Sequence, residues 1–524
     1  MAKSMSSPFV AIGLFSSIVS VATAISSLTV NTTVGTVTGF INGTNPGVAQ
    51  FYSIPFAEPP VGDLRWEPAV AKSPVNGTID ATAFSPSCPQ YESAGKSVYN
   101  VDAREFLISG PTSEDCLTLN IWAPYDAALN CGNGSSSGSE GSNTEGESLP
   151  VLVWIYGGGF QTGGGQITYQ IPSNWIQRTQ RHIVVGINYR VNIFGFPNAA
   201  AVPLANQNLG LLDQRLALEW VRSNIANFGG DTSRITIWGQ SAGAESVDYY
   251  NFAYPDDPII AGLILDSGNA LLPAGNPTPS TQSFSIVASH FSCNGTDEAQ
   301  LSCLKKVPQA DIEAFLKSYG DARTSPGLSF NQVVDNRTKF ANYTARALAG
   351  NFTKKPGIIG TNADEGRSLI TFNPDSVNIS AANQNTLNTF LCPADVTTTN
   401  RYAVGVPTHR YLYGGNFSNI APRAWEGAYH SAELPLIFGT SGIARGASTP
   451  FELAVSRQMQ DYYLDFISDP VNGLSQAGWP VYQPGGQALE FAYNGTVVRN
   501  ISADVLFAPC DGVVGKPGAV PPDA

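Results

Sequence analysis

Along the middle of the chain, short apolar runs alternate with longer segments whose apolar residues recur at helical spacing. The runs 117–122, 151–156, 183–188, 235–238 and 262–266 are rich in β-branched or aromatic residues. Unbroken apolar character over so few residues predicts strands buried on both faces, as in a parallel sheet covered by helices. Between two of them, 214–227 carries Leu216, Leu218, Val221 and Ile225 at roughly helical spacing and stops at Asn227-Phe228-Gly229-Gly230. Further along, 357–360 and 410–413 read as strands and 451–466 as a helix. This order predicts an α/β fold with an open, mostly parallel central sheet flanked by helices. One domain over 25–524 accommodates all of it.

The chain's first segment follows a different pattern. Lys3 precedes an apolar stretch built on Phe9, Val10, Ile12, Leu14, Phe15, Ile18 and Val19, which ends in Ala22-Thr23-Ala24. That is a secretory signal over 1–24, with a small-x-small cleavage site. No other apolar stretch is long enough to span a bilayer, so a secreted protein without a stable membrane span is expected. Sequons at Asn31, Asn42, Asn76, Asn133, Asn294, Asn336, Asn342, Asn351, Asn378, Asn416, Asn494 and Asn500 fit an exported glycoprotein. The Gly/Ser/Asn/Glu-rich stretch 130–148 reads as a flexible loop between two strands.

Charge narrows the function. The 524 residues hold 28 Lys and Arg against 41 Asp and Glu, a formal net charge of −13. Without a cationic run, the chain lacks what a phosphate backbone requires, so nucleic acid is not an expected partner. Export places the seven cysteines in an oxidising compartment, where pairing is the default. Cys131, in the polar stretch, is the candidate for the odd thiol. No CxxC, HExxH or histidine cluster points to a metal, and no cofactor is expected.

The sharpest motif is Gly239-Gln240-Ser241-Ala242-Gly243, which follows the run 235–238 and opens a stretch of small residues able to start a helix. G-x-S-x-G in that context is a nucleophile elbow, whose glycines permit a strained turn with close backbone approach. A serine nucleophile needs a base. Of the four histidines, His182, His290 and His409 sit in segments that read as structural, which leaves His430 in a polar loop after the last expected strand. The base needs an acid, and Asp364 and Glu365 in 358–366 qualify equally on chemistry. Gly157-Gly158-Gly159 after the run 151–156 supplies amides for an oxyanion, with Gly158, Gly159 and Ala242 making a three-donor hole. Neither the P-loop nor the dinucleotide spacing is present there.

The chain resembles the type-B carboxylesterase/lipase family, which includes cholinesterases and microbial lipases. The likeness rests on 57–65, 113–122, Gly229-Gly230-Asp231 leading into the elbow, 362–366, and His430 followed by Glu433-Leu434-Pro435. The resemblance implies an α/β-hydrolase fold and a triad of Ser241, Glu365 and His430, with Ser267 and Gln240 supporting it. It also implies the pairs Cys88–Cys116, Cys293–Cys303 and Cys392–Cys510, and an Arg65–Glu114 ion pair. Three features depart from the family pattern. Gln240 stands where many members carry Glu, the 88–116 loop has no Trp, and the segment between Glu365 and Cys392 is shorter. The first two argue against a quaternary ammonium substrate. The expected activity is hydrolysis of small-molecule or lipid carboxylic esters through an acyl-enzyme. Two alternatives are a triglyceride lipase with 88–116 as its lid, and a catalytically impaired binding member of the same fold.

Overall fold

The computed structural model describes residues 28–132, 148–272 and 280–511, without the side chains of 129–132. The signal expected over 1–24, the Cys131 side chain, Asn133 and residues 133–147 of the polar stretch lie outside the described residues. Residues 130–132 close the helix Tyr125–Gly132, so the loop expected from residue 130 does not begin there.

An eleven-stranded sheet collects strands from both ends of the described chain. In its middle, Ile183–Ile187, Leu149–Ile155, Gly230–Gln240, Gly262–Asp266, Gly357–Asn362, Thr408–Tyr413 and Gln487–Tyr493 lie side by side and parallel. All seven residues of the strand Thr118–Pro124 are buried, which is why it reads like its parallel neighbours. It nevertheless pairs antiparallel with both Val48–Pro55 and Ile183–Ile187, because burial sets composition and not strand direction. Thr496–Ser502 closes the opposite edge antiparallel to Gln487–Tyr493. A separate three-stranded sheet holds Thr29–Thr32, Gly35–Thr38 and Thr78–Asp80.

The helix expected over 214–227 runs from Leu209 to Asn224 and is followed by a single tight turn, Ile225–Phe228. Gly229, at φ 88°, then reverses the chain into the strand that ends at Gln240. The helix Pro450–Ser468 starts on a capping box between Thr449 and Glu452, with Pro450 in its first turn. Beneath the sheet's carboxyl edge, the buried Asp266 accepts from Trp238 Nε1 at 2.5 Å, Tyr411 Oη at 2.9 Å and Tyr463 Oη at 2.8 Å. These bonds tie three strands of the sheet and one helix together below the site.

The three cysteine pairs are joined: Cys88–Cys116, Cys293–Cys303 and Cys392–Cys510. Arg65 meets Glu114 through two bonds, at 2.6 and 2.5 Å, and its remaining N–H groups reach the carbonyls of Leu304 and Val307. The short segment after Glu365 is filled by the helix Ile379–Asn385, a π-helical turn Thr386–Leu391 and the helix Cys392–Ala403.

Candidate active site

The strand Gly230–Gln240 and the helix Ala242–Ala253 meet at Ser241, whose backbone takes φ 56°, ψ −124°. A non-glycine residue in that region is strained, and its neighbours hold it there. Ser241 N–H donates to the Asp266 carbonyl at 2.9 Å, and the Ser241 carbonyl accepts from Glu245 N–H at 2.9 Å. A β-carbon on Gly243 would overlap the Ile155 carbonyl oxygen, one on Gly239 the backbone of Gly243, and one on Gly268 the carbonyl of Ser241. The small residues around the serine are therefore dictated by backbone packed against backbone.

Gly157-Gly158-Gly159 leaves the strand Leu149–Ile155 beside this turn. A β-carbon on Gly157 would lie 2.6 Å from the Gln240 carbonyl oxygen and 3.0 Å from Ser241 Cβ. Gly158 and Gly159 adopt φ 113° and 61°, and the loop folds back as Gln161 and Thr162 N–H donate to the Gly158 carbonyl. Gln90, from the Cys88–Cys116 loop, clamps Gly163 by accepting its N–H at 2.8 Å and donating to its carbonyl at 2.6 Å. Ala242 opens its helix, so its N–H belongs to the first turn and has no intrahelical acceptor.

His430 is buried in the loop that follows Thr408–Tyr413, although that strand is not the chain's last. Its Nδ1 lies 2.6 Å from Glu365 Oε2. The other Glu365 oxygen accepts Asn362 N–H at 2.7 Å, so both oxygens of this buried carboxylate are engaged. Asp364 points elsewhere. It pairs with Arg367 at 2.7 Å and accepts Ala428 N–H at 3.1 Å, so the geometry brings only Glu365 to the imidazole. The ring also contacts Gln240, the residue before Ser241: Gln240 Nε2 is 3.1 Å from His430 Nε2. Ser241 Oγ itself makes no hydrogen bond to another described residue.

The other histidines lie apart from this cluster. His182 is buried beside Thr179, and burial lowers its imidazole to about 3. His409 sits near the Pro480 carbonyl, and burial lowers it to about 4. His290 stacks on Phe315 with ring centroids 4.0 Å apart. Ser267 is buried below the elbow at φ 54°, and its hydroxyl has no hydrogen-bond partner among the described residues.

Two neighbours of His430 escape a reading of the sequence. Tyr99 Oη donates to the His430 carbonyl at 2.7 Å, and the Phe390 ring lies 4.6 Å from the imidazole. Tyr99 offers only its place inside a disulfide loop as a signal. Phe390 offers none, because its position depends on the π-helical turn.

Residues 26–400 match the model of the carboxylesterase family. A chlorogenic acid esterase of Aspergillus niger is 43% identical over 500 residues, covering 92% of this chain and 94% of its own. Secreted lipase 5 of Gibberella zeae is 41% identical, with coverage of 92% and 94%. An acetylcholinesterase of Bungarus fasciatus is 29% identical, with coverage of 87% and 81%. With this likeness running across an elbow, a glycine loop and a buried His–Glu pair, the chain belongs to the carboxylesterase family and is a carboxylic ester hydrolase.

Proposed function

We propose that this secreted ester hydrolase works by acyl transfer, in one catalytic unit over 25–524, with Ser241 as nucleophile, His430 as general base and Glu365 fixing the imidazole. The observation that carries the reading is the buried 2.6 Å contact between His430 Nδ1 and Glu365, set against the residue that precedes a strained Ser241. A proton on Nδ1 held by the carboxylate leaves Nε2 to accept the serine proton. The bond between serine and base forms as substrate closes the site, since such contacts are often long in unliganded enzymes. Amides of Gly158, Gly159 and Ala242 receive the oxyanion, the alcohol leaves on a proton from His430, and water repeats the attack on the acyl-enzyme.

The test is Ser241→Ala on p-nitrophenyl acetate. Hydrolysis falls at least about a thousandfold and labelling by a fluorophosphonate probe disappears. Retained turnover ends the reading.

The substrates are neutral carboxylic esters, and a panel of phenolic-acid and acyl esters of rising chain length, with a chlorogenic acid ester included, orders them. The relative named secreted lipase 5 supports triglycerides as the second class. In that reading the Cys88–Cys116 loop is a lid, and activity rises sharply on emulsified triglyceride. Glycosylation accompanies export: the sequon asparagines at 31, 42, 76, 294, 336, 342, 351, 378, 416, 494 and 500 are all exposed.

A further inference from the structure

The imidazole of His430 is held by more than its carboxylate. Gln240 Nε2 lies 3.1 Å from His430 Nε2 and 3.5 Å from Nδ1. A donor in line with the Nε2 lone pair would stand much farther from Nδ1, on the opposite side of the ring. The near equality of the two distances therefore puts the amide over the imidazole face. Phe390 packs against the ring as well, tilted by 41° with centroids 4.6 Å apart. It is delivered by the π-helical turn Thr386–Leu391, a local irregularity of the kind often found at functional sites. Amide, phenyl ring and Glu365 together fix the plane of the base and leave the in-plane edge at Nε2 for Ser241.

We propose that Gln240 is a positioning residue for the base, and that its neutrality sets the pH range in which the base works. The inference rests on the triad reading above. The groups facing the imidazole define what a charge at position 240 would do. Glu365 is the carboxylate bonded to the ring. Glu433 lies behind it, held by Asn362, and burial together with Asp266 and Glu365 pushes its carboxyl well above the usual range. Burial raises Asp266 to about 6, and Arg410 lies within electrostatic reach of Glu365. Tyr99 contributes a phenol on the backbone side, at the His430 carbonyl. A carboxylate in place of the amide would add a second anion against the ring face and favour imidazolium, the form unable to accept the serine proton.

The measurement is kcat/KM against pH for the parent, Gln240→Glu and Gln240→Met on p-nitrophenyl acetate, with Ser241→Ala alongside. In Gln240→Glu the acid limb moves to higher pH by about one unit, so that hydrolysis at pH values below both limbs is roughly tenfold slower. In Gln240→Met the limb stays within about 0.3 unit, while kcat on the plateau falls several-fold because the ring loses its polar contact. A Gln240→Glu limb that coincides with the parent's overturns the proposal, and so does an equal displacement in Gln240→Met. Should Gln240→Glu fail to fold, a parental plateau kcat in Gln240→Met overturns it. Hydrolysis surviving in Ser241→Ala would instead remove the triad reading itself, which separates the two failures.

Discussion

Tyr99 donates its phenolic hydrogen to the main-chain carbonyl of His430 across 2.7 Å, joining the Cys88–Cys116 loop to the loop that bears His430. The same hydroxyl lies 3.0 Å from Ser368 Oγ, at the end of the short turn that begins at Glu365, so one side chain bridges the segments that carry the two partners of the His–Glu pair. Arg423 strengthens the connection with two bonds to Asp102, at 2.6 and 2.9 Å. The disulfide loop thus braces the segments that carry His430 and Glu365. Tyr99→Phe keeps the ring and removes the bond, a loss of about 1 kcal/mol. Its kcat is expected to fall about fivefold with KM nearly unchanged, measured by steady-state kinetics. A fall in KM alone, with kcat intact, would place Tyr99 outside the brace.

The two adjacent carboxylates differ in their contacts, and the proposed triad gives them different roles. Glu365→Gln presents an amide to His430 Nδ1 and disturbs the tautomer, so kcat should drop by roughly 100- to 10,000-fold. Asp364→Asn breaks only the partly exposed pair with Arg367, and activity should stay within about threefold. Equal losses in the two variants would contradict the assignment of Glu365.

What was readable in the chain beforehand follows from where backbone constraint and burial leave marks in composition. The elbow was legible because Gly239 and Gly243 each face backbone atoms that exclude a side chain. The parallel strands were legible because helices cover both faces. Direction was not, and Thr118–Pro124, fully buried but antiparallel, carries the same apolar signature. The edge strand Thr496–Ser502 has no fully buried residue and lacks that signature altogether. Asp364 and Glu365 are neighbours in sequence with the same chemistry, and only the path of the backbone turns one toward His430. Phe390 and Gln240 meet the imidazole from segments 150 residues apart, which no local pattern encodes.

Gly243→Ala tests the elbow's sterics. Its β-carbon would overlap the Ile155 carbonyl oxygen, and backbone of the central sheet has no room to move aside. The expected loss is at least about 3 kcal/mol of stability, read as a lower denaturant midpoint or loss of soluble protein. A variant with parental stability would mean that helix and strand separate more easily than the packing implies.

Stability should be greatest in mildly acid solution. Burial raises Glu245 to about 7, Asp266 to about 6 and Glu426, which also faces Asp102, to about 7. In the unfolded chain these carboxyls return to 4.5, 3.8 and 4.5. Between those limits the native state holds more protons than the unfolded one, so unfolding free energy falls as pH rises, levelling off once the folded groups have ionised. Below the unfolded values these three contribute no slope. There, Glu58 and Asp231, held low chiefly by a hydrogen bond from Lys72 and by bonds from Ser233 and Arg234, are protonated and their contribution is lost as pH falls. The opposing slopes place the maximum in mildly acid solution, and stability declines from there toward neutral pH. Denaturant midpoints measured across that range provide the check, and Glu426→Gln isolates one contributor. It removes the ionisation that strains the contact with Asp102, so the decline between about pH 5 and 7 becomes shallower. A midpoint that climbs steadily from pH 5 to 8 in the parent would show that these carboxyls are ionised in the folded protein and balanced by partners within it.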